Sequence, residues 1–280
     1  MNKLLLEHPG LRTLLATLNA HLAAPAAPDW KTVRAARWSV QAGGLKPILH
    51  PQRAALKDLL DIDEQKQRVD ANTRQFVEGR PANNVLLTGA RGGGKSSLVK
   101  AIHAKYAAKG LRLIEVDKAG LPSLPDLFDL LADADYRFIV FIDDLTFAEH
   151  EVGYASLKAA LDGSLAGPSD NVLVYATSNR RHLMPEYLAE NREAKHLEGE
   201  VHPGEATEEK VSLSDRFGLW VAFHVMDQDA YLVIARHWAK QLGAPPDDTF
   251  ERAALQWSLG RGARNGRVAW QFARDWAGQK

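Results

Sequence analysis

No cysteine occurs anywhere in the 280 residues. That excludes a disulfide framework and a zinc ribbon, and it fits a reducing compartment. Neither charge is in excess, since 35 Lys and Arg stand against 35 Asp and Glu. Such a chain is no bulk polycation built to coat nucleic acid. A run of 18 consecutive apolar residues is also missing, so no membrane span and no membrane partner are expected. The Leu-rich start, Met1–Leu6 and Leu11–Leu22, is broken by Glu7, His8, Pro9 and Arg12, where a secretory signal needs an unbroken apolar stretch. These absences point to a cytoplasmic protein. The ten His form no His-Glu-x-x-His pair, and no Gly-x-Ser-x-Gly elbow occurs, so zinc-protease and serine-hydrolase chemistry lack their usual signatures.

What remains is a globular composition, 45% hydrophobic and 25% charged. At roughly 150 residues per domain, the length suits about two domains. Leu11, Leu14, Leu15, Leu18 and Leu22 share one helix face, and the Ala/Pro stretch Ala23–Asp29 reads as a linker. Weak strand alternation around Trp38 and Val40 leads into a Gly43–Gly44 turn. From Asp58 the pattern sharpens. A helix to Phe76 is followed by a strand at Val85–Thr88, a helix at Ser96–Ala108 closing on Gly110, a strand at Leu111–Val116 and a helix at Asp126–Asp133. Phe138–Ile142 and Asn171–Thr177 are continuous apolar runs, the mark of strands buried on both faces, with a helix at Tyr154–Leu161 between them. Strands alternating with helices predict a parallel sheet covered on both sides, an α/β fold. Pro185–Lys210 holds eight Glu and reads as an exposed acidic insertion. A strand candidate at Leu219–Val225 precedes three helical segments, Asp229–Leu242, Asp247–Leu259 and Gly266–Ala277. The domain reading is thus an N-terminal helical or irregular segment over 1–50, an α/β core over 51–226 with its insertion at 185–210, and a helical lid over 227–280.

The chemistry sits in the core. Gly89-Ala90-Arg91-Gly92-Gly93-Gly94-Lys95-Ser96 matches G-x-x-x-x-G-K-[ST] in full. Glycines let the backbone curl so that successive N–H groups face phosphate oxygens. The helix that begins at the motif adds its positive end to that anion site. Lys95 reaches the β- and γ-phosphates, and the Ser96 hydroxyl ligates Mg2+. The motif follows a strand and opens a helix, which is the context it requires. Phe138-Ile139-Val140-Phe141-Ile142-Asp143-Asp144 then places carboxylates at the same sheet edge. Asp143 is the candidate metal residue. Asp144 is either the group that polarises the attacking water or a helix cap. Asn179, at the tip of the strand ending Ala176-Thr177-Ser178, is placed to orient water or read the γ-phosphate, or it serves a turn.

P-loop, acidic strand end, Asn-tipped strand and helical lid together resemble the AAA+ ATPases, P-loop NTPases of the ASCE type. That resemblance implies a parallel sheet of order 5-1-4-3-2 flanked by helices, with a C-terminal helical lid. The match is closer to one bacterial AAA+ family described only as a domain of unknown function. It rests on Ala82-Asn83-Asn84-Val85-Leu86-Leu87, on Gly94-Lys95-Ser96-Ser97-Leu98-Val99-Lys100-Ala101, on Ala176-Thr177-Ser178-Asn179-Arg180-Arg181-His182-Leu183 and on Ser212-Leu213-Ser214-Asp215-Arg216-Phe217-Gly218-Leu219. It spans roughly residues 50–280. The resemblance implies ATP and Mg2+ as cofactors, with Gly89 to Ser97 around the phosphates and Leu60 and Ile62 framing the adenine. It makes Asp143 the Walker B metal residue and Asn179 sensor 1. It makes Arg216 the arginine finger offered to a neighbour, and Arg267, with Arg264 as rival, sensor 2. A homo-oligomer, a hexameric ring by resemblance, and an unidentified protein or nucleic-acid partner follow from the same likeness. Many AAA+ enzymes carry Glu after the metal Asp; this chain has Asp144, one methylene shorter. Arg261, Arg264, Arg267 and Arg274 cluster near the C-terminus, the one basic concentration near the lid.

Overall fold

The computed structural model describes residues 28–40, 44–52, 54–147, 152–162, 170–179, 195–197, 200–202 and 213–280. The sequence-predicted helix at 11–22 and most of the insertion at 185–210 lie outside the described residues.

Seven strands form the main sheet. They are β1 (Ala35–Ser39), β2 (Gly44–Pro47), β3 (Val85–Gly89), β4 (Leu111–Val116), β5 (Arg137–Ile142), β6 (Val172–Ser178) and, after a small hairpin of β7 (Lys195–Leu197) and β8 (Glu200–His202), β9 (Leu219–Phe223). The order is β2-β1-β4-β5-β6-β3-β9. Read from β9 to β4 this is the expected 5-1-4-3-2, every neighbouring pair parallel. Two strands are added at the far edge. β1 runs parallel to β4, with Ala35 opposite Leu113 and Trp38 opposite Val116, and β2 returns antiparallel.

Here the sequence reading needs correction: residues 35–47 are part of the sheet and do not belong to a separate N-terminal segment. Their anchors are aromatic. Trp38 is buried and donates from Nε1 to Ser123 Oγ at 2.7 Å. Trp30 packs edge-on against Phe138 with centroids 5.0 Å apart. Each such burial is worth roughly 2–3 kcal/mol, enough to hold an edge strand whose own alternation is weak.

The β5 and β6 side chains alternate between two cores, as strand geometry requires. Phe138, Val140 and Ile142 join one cluster, covered by α3 (Leu124–Ala132) and α4 (Val152–Asp162). Ile139 and Phe141 join the other, covered by α1 (Asp63–Val77) and α2 (Lys95–Tyr106). That double burial explains why these strands read as unbroken apolar runs. The lid helices α5 (Gln228–Gln241), α6 (Phe250–Arg261) and α7 (Gly266–Gly278) close on their own core of Tyr231, Phe250, Phe272 and Trp276. Because β3, β5 and β6 are parallel and in register, Gly89, Asp143 and Asn179 leave the sheet at one edge.

Candidate functional site

The loop after β3 is held by backbone that only glycine tolerates. Gly89 has φ +130, and a Cβ there would lie 2.1 Å from the Phe223 carbonyl oxygen. Gly92 has φ +80, and a Cβ there would lie 2.5 Å from Asn265 of the lid. Gly94, in the left-handed region, is the N-cap of α2 and offers no side-chain cap, so no cap side chain occupies the first-turn N–H groups. Gly93 packs near the Ala90 carbonyl, and Ser97 is half-buried in the first turn.

Lys95 is 6% exposed, and its Nζ donates to Gly89 O at 2.6 Å, Ala90 O at 2.8 Å and Asn179 Oδ1 at 3.1 Å. Burial lowers its pKa; the charges of Asp143 and Asp144 oppose that shift, and those of Arg267 and Arg91 reinforce it. A cation held by carbonyl dipoles in this way gains most from an arriving anion.

Beside it, Asp143 Oδ1 accepts from Ser96 Oγ at 2.6 Å and from Thr177 Oγ1 at 2.6 Å. The Thr177 hydroxyl also accepts from the Asp144 N–H at 2.9 Å, and the Thr177 carbonyl accepts from Leu145 N at 2.7 Å. One buried threonine thus seats both carboxylates. Asp144 Oδ1 accepts from Asn179 Nδ2, and its Oδ2 stands 3.7 Å from the Arg91 guanidinium. Asp144 sits in a turn at φ +54, a conformation that Asp and Asn enter more readily than Glu. That backbone is a physical reason for the shorter acid at this place. No described helix begins at Asp144, so the helix-cap alternative has no support there.

Ser96 Oγ and Asp143 Oδ1 are hard oxygen donors side by side, which suits a small divalent cation such as Mg2+. Among the described residues no group of three His, Cys, Asp or Glu converges. That sparse set fits a cation whose remaining ligands are phosphate and water.

The lid reaches this loop directly. Gly266 N donates to Gly92 O at 3.1 Å, and Asn265 caps α7 by accepting from Val268 N at 3.0 Å. Arg267 is the lid arginine whose charge bears on Lys95, whereas that of Arg264 bears on Tyr231. Ile62 is buried against α2, 3.5 Å from where a Cβ on Gly94 would stand, while Leu60 packs on the lid core. The two lie where core and lid meet, tied there by His237 Nε2 at 3.1 Å from Asp58. Arg216 is not brought into this network. It pairs with Asp162 at the end of α4, a contact that raises its pKa through the hydrogen bond.

Thr177 is the functional residue the motif reading passed over. It lies within a quoted string, and strand alternation places it on the side of Asn179, two residues on. That spacing was the available signal.

The fold and the loop geometry are those of the AAA+ P-loop class. Residues 31–280 match the family described as protein of unknown function (DUF815), and the chain belongs to that family. No curated protein matches it. Among solved structures it resembles the Thermotoga maritima RuvB Holliday junction branch migration motor, with a TM-score of 0.50, 17% identity, and 79% of this chain covering 63% of that one. It also resembles the Aeropyrum pernix ORC1 protein in complex with DNA, with a TM-score of 0.52, 15% identity, and 75% of this chain covering 57% of that one. The chain therefore spans less than two thirds of either neighbour, and the likeness is one of fold. No helix among the described residues is long and apolar enough to cross a membrane.

Proposed function

We propose that this protein is a cytoplasmic, Mg2+-dependent ATPase that couples hydrolysis to movement of the lid against the core, and so remodels a protein or nucleic-acid partner. The observation carrying this reading is the single network of Lys95, Ser96, Asp143, Asp144, Asn179 and Thr177 at the sheet's carboxyl edge. The P-loop amides bind the phosphates, and Lys95 exchanges its carbonyl partners for phosphate oxygens. Ser96 and Asp143 hold Mg2+, which supplies charge neutralisation on the phosphate oxygens. Asp144 accepts a proton from the attacking water, and Asn179, bonded to both Lys95 and Asp144, orients that water. Arg267 reports the phosphate state to the lid through its own helix. Arg216 acts in trans as the arginine finger of a ring, a hexamer by family resemblance.

Binding calorimetry tests the site. Lys95→Ala should lose ATP binding, because the phosphates lose the buried cation that the loop's own carbonyls hold in place; unchanged affinity would sink the assignment. A second reading, an ATP-dependent binding module with slow turnover like a helicase loader, draws on the engagement of Asp144 by Asn179 and Arg91. Steady-state turnover with and without single-stranded DNA separates the two.

A further inference from the structure

The β1–β2 hairpin widens the sheet beyond β4. Where α2 stops covering the sheet, a cleft of about 490 Å3 opens between β1, β4 and the segment from Pro47 to Gln52. Its floor is apolar, formed by Ala35, Leu113 and the buried Phe141. Its polar wall is cationic. Arg37, Lys46 and Lys100 line it against one carboxylate, Glu115, which Arg37 already engages at 2.8 Å. Lys100, half-buried on α2, has only the Gln52 amide at 3.0 Å, and Lys46 has no carboxylate partner among the described residues.

His103 completes the wall. It is 5% exposed, and its Nε2 lies 2.9 Å from the Arg34 carbonyl, so Nε2 carries the proton and donates. Burial pushes its pKa down to about 4, so the ring is neutral near pH 7 although the Arg34 bond favours the charged form, and Nδ1 keeps a lone pair with no partner among the described residues.

We propose that this cleft is a second ligand site, separate from the P-loop, for a small ring compound bearing an acidic group and an N–H or O–H donor. The acid pairs with Lys46 and Lys100, the ring lies on Phe141 and Leu113, and the donor reaches His103 Nδ1. The volume is that of a small-molecule site, well beyond a single ion. Because Lys100 and His103 ride on the helix that carries Lys95 and Ser96, an occupant clasps the hairpin to the P-loop helix.

The probes are 4-aminophenyl phosphate, 4-aminobenzoate and phenyl phosphate, titrated into the full chain and followed by calorimetry and by the histidine ring 15N resonances. At least one amino probe should bind with Kd below roughly 1 mM and move the His103 Nδ1 signal, and phenyl phosphate, lacking the donor, should bind about tenfold more weakly than its amino counterpart. The stronger of the two amino probes identifies the acid group as phosphate or carboxylate. The exposed-side variant Lys46→Gln/Lys100→Gln should weaken binding by about tenfold or more and should leave ATP binding intact. The proposal is overturned if no probe moves His103 at 10-fold above roughly 1 mM. It is equally overturned if Lys95→Ala abolishes probe binding while the double variant does not, since the probes would then sit in the P-loop.

Discussion

Replacing Thr177 by Val separates the geometry of the two carboxylates from their identity. The side chains have the same shape and Thr177 is 1% exposed, so no cavity and no clash arise. What is lost is the donor to Asp143 at 2.6 Å and the acceptor for the Asp144 N–H at 2.9 Å. A hydrogen bond to a charged group contributes about 1.5–3 kcal/mol, and an orphaned amide costs about 1–3 kcal/mol. Asp144 is partly exposed and water relieves some of the second loss. The sum is about 3 kcal/mol, or a fall in Tm of roughly 6–12 °C for a domain of this size. Because Asp143 and Asp144 lose their common anchor, kcat for ATP should fall by about 10²-fold with KM nearly unchanged, the cost of displacing reacting groups by about 1 Å. Thr177→Ser, which keeps the hydroxyl, should recover most of both. A Thr177→Val protein within about 0.5 kcal/mol of wild type, as for an indifferent surface site, and within twofold in kcat would refute the reasoning.

Asp144→Asn should keep ATP binding and the positive-φ turn, since Asn also tolerates that backbone, yet lose about 10²–10⁴-fold in turnover because an amide takes no proton. Turnover within twofold would remove Asp144 from the chemistry. Arg216→Ala should bind ATP normally and lose about 10³-fold in hydrolysis. Mixing it with Lys95→Ala protein should restore part of the activity through mixed interfaces, and co-assembly without recovery rules out a finger in trans. His103 should make the fold acid-sensitive. Burial pushes its pKa down to about 4 from 6.5, so the unfolded chain binds the extra proton first. Stability is full above pH 6.5 and falls as pH drops toward 4, by about 2 kcal/mol between pH 7 and 5. A His103→Gln variant should lack that part of the slope in thermal unfolding from pH 7 to 5; an unchanged slope would show that His103 is not the titrating group.

Motifs bounded by local chemistry were legible in the chain itself. Gly89 to Ser96 need particular residue types because the phosphate loop is a local backbone object, set by positive φ and a helix start. The runs at Phe138–Ile142 and Asn171–Thr177 declared themselves because burial on both faces of β5 and β6 removes alternation. β1 did not. Its burial alternates imperfectly, and what recruits it is Trp38 meeting Ser123 and Trp30 meeting Phe138, partners 85 and 108 residues away in sequence. The same holds for Thr177, whose role exists only because β5 and β6 are neighbours in register. Arg267 was the sequence's choice for the lid arginine with Arg264, three residues before it, as rival, and in the folded chain it is the charge of Arg267 that bears on Lys95. The sequence by itself determined the phosphate loop, the acid pair and the alternation of helix and strand, since each depends on neighbours within a few residues. Only the tertiary structure decided the two-strand edge of β1 and β2, the threonine that seats both acids and the cationic cleft beside α2. Those depend on contacts between distant segments, and no local period encodes a contact across the fold.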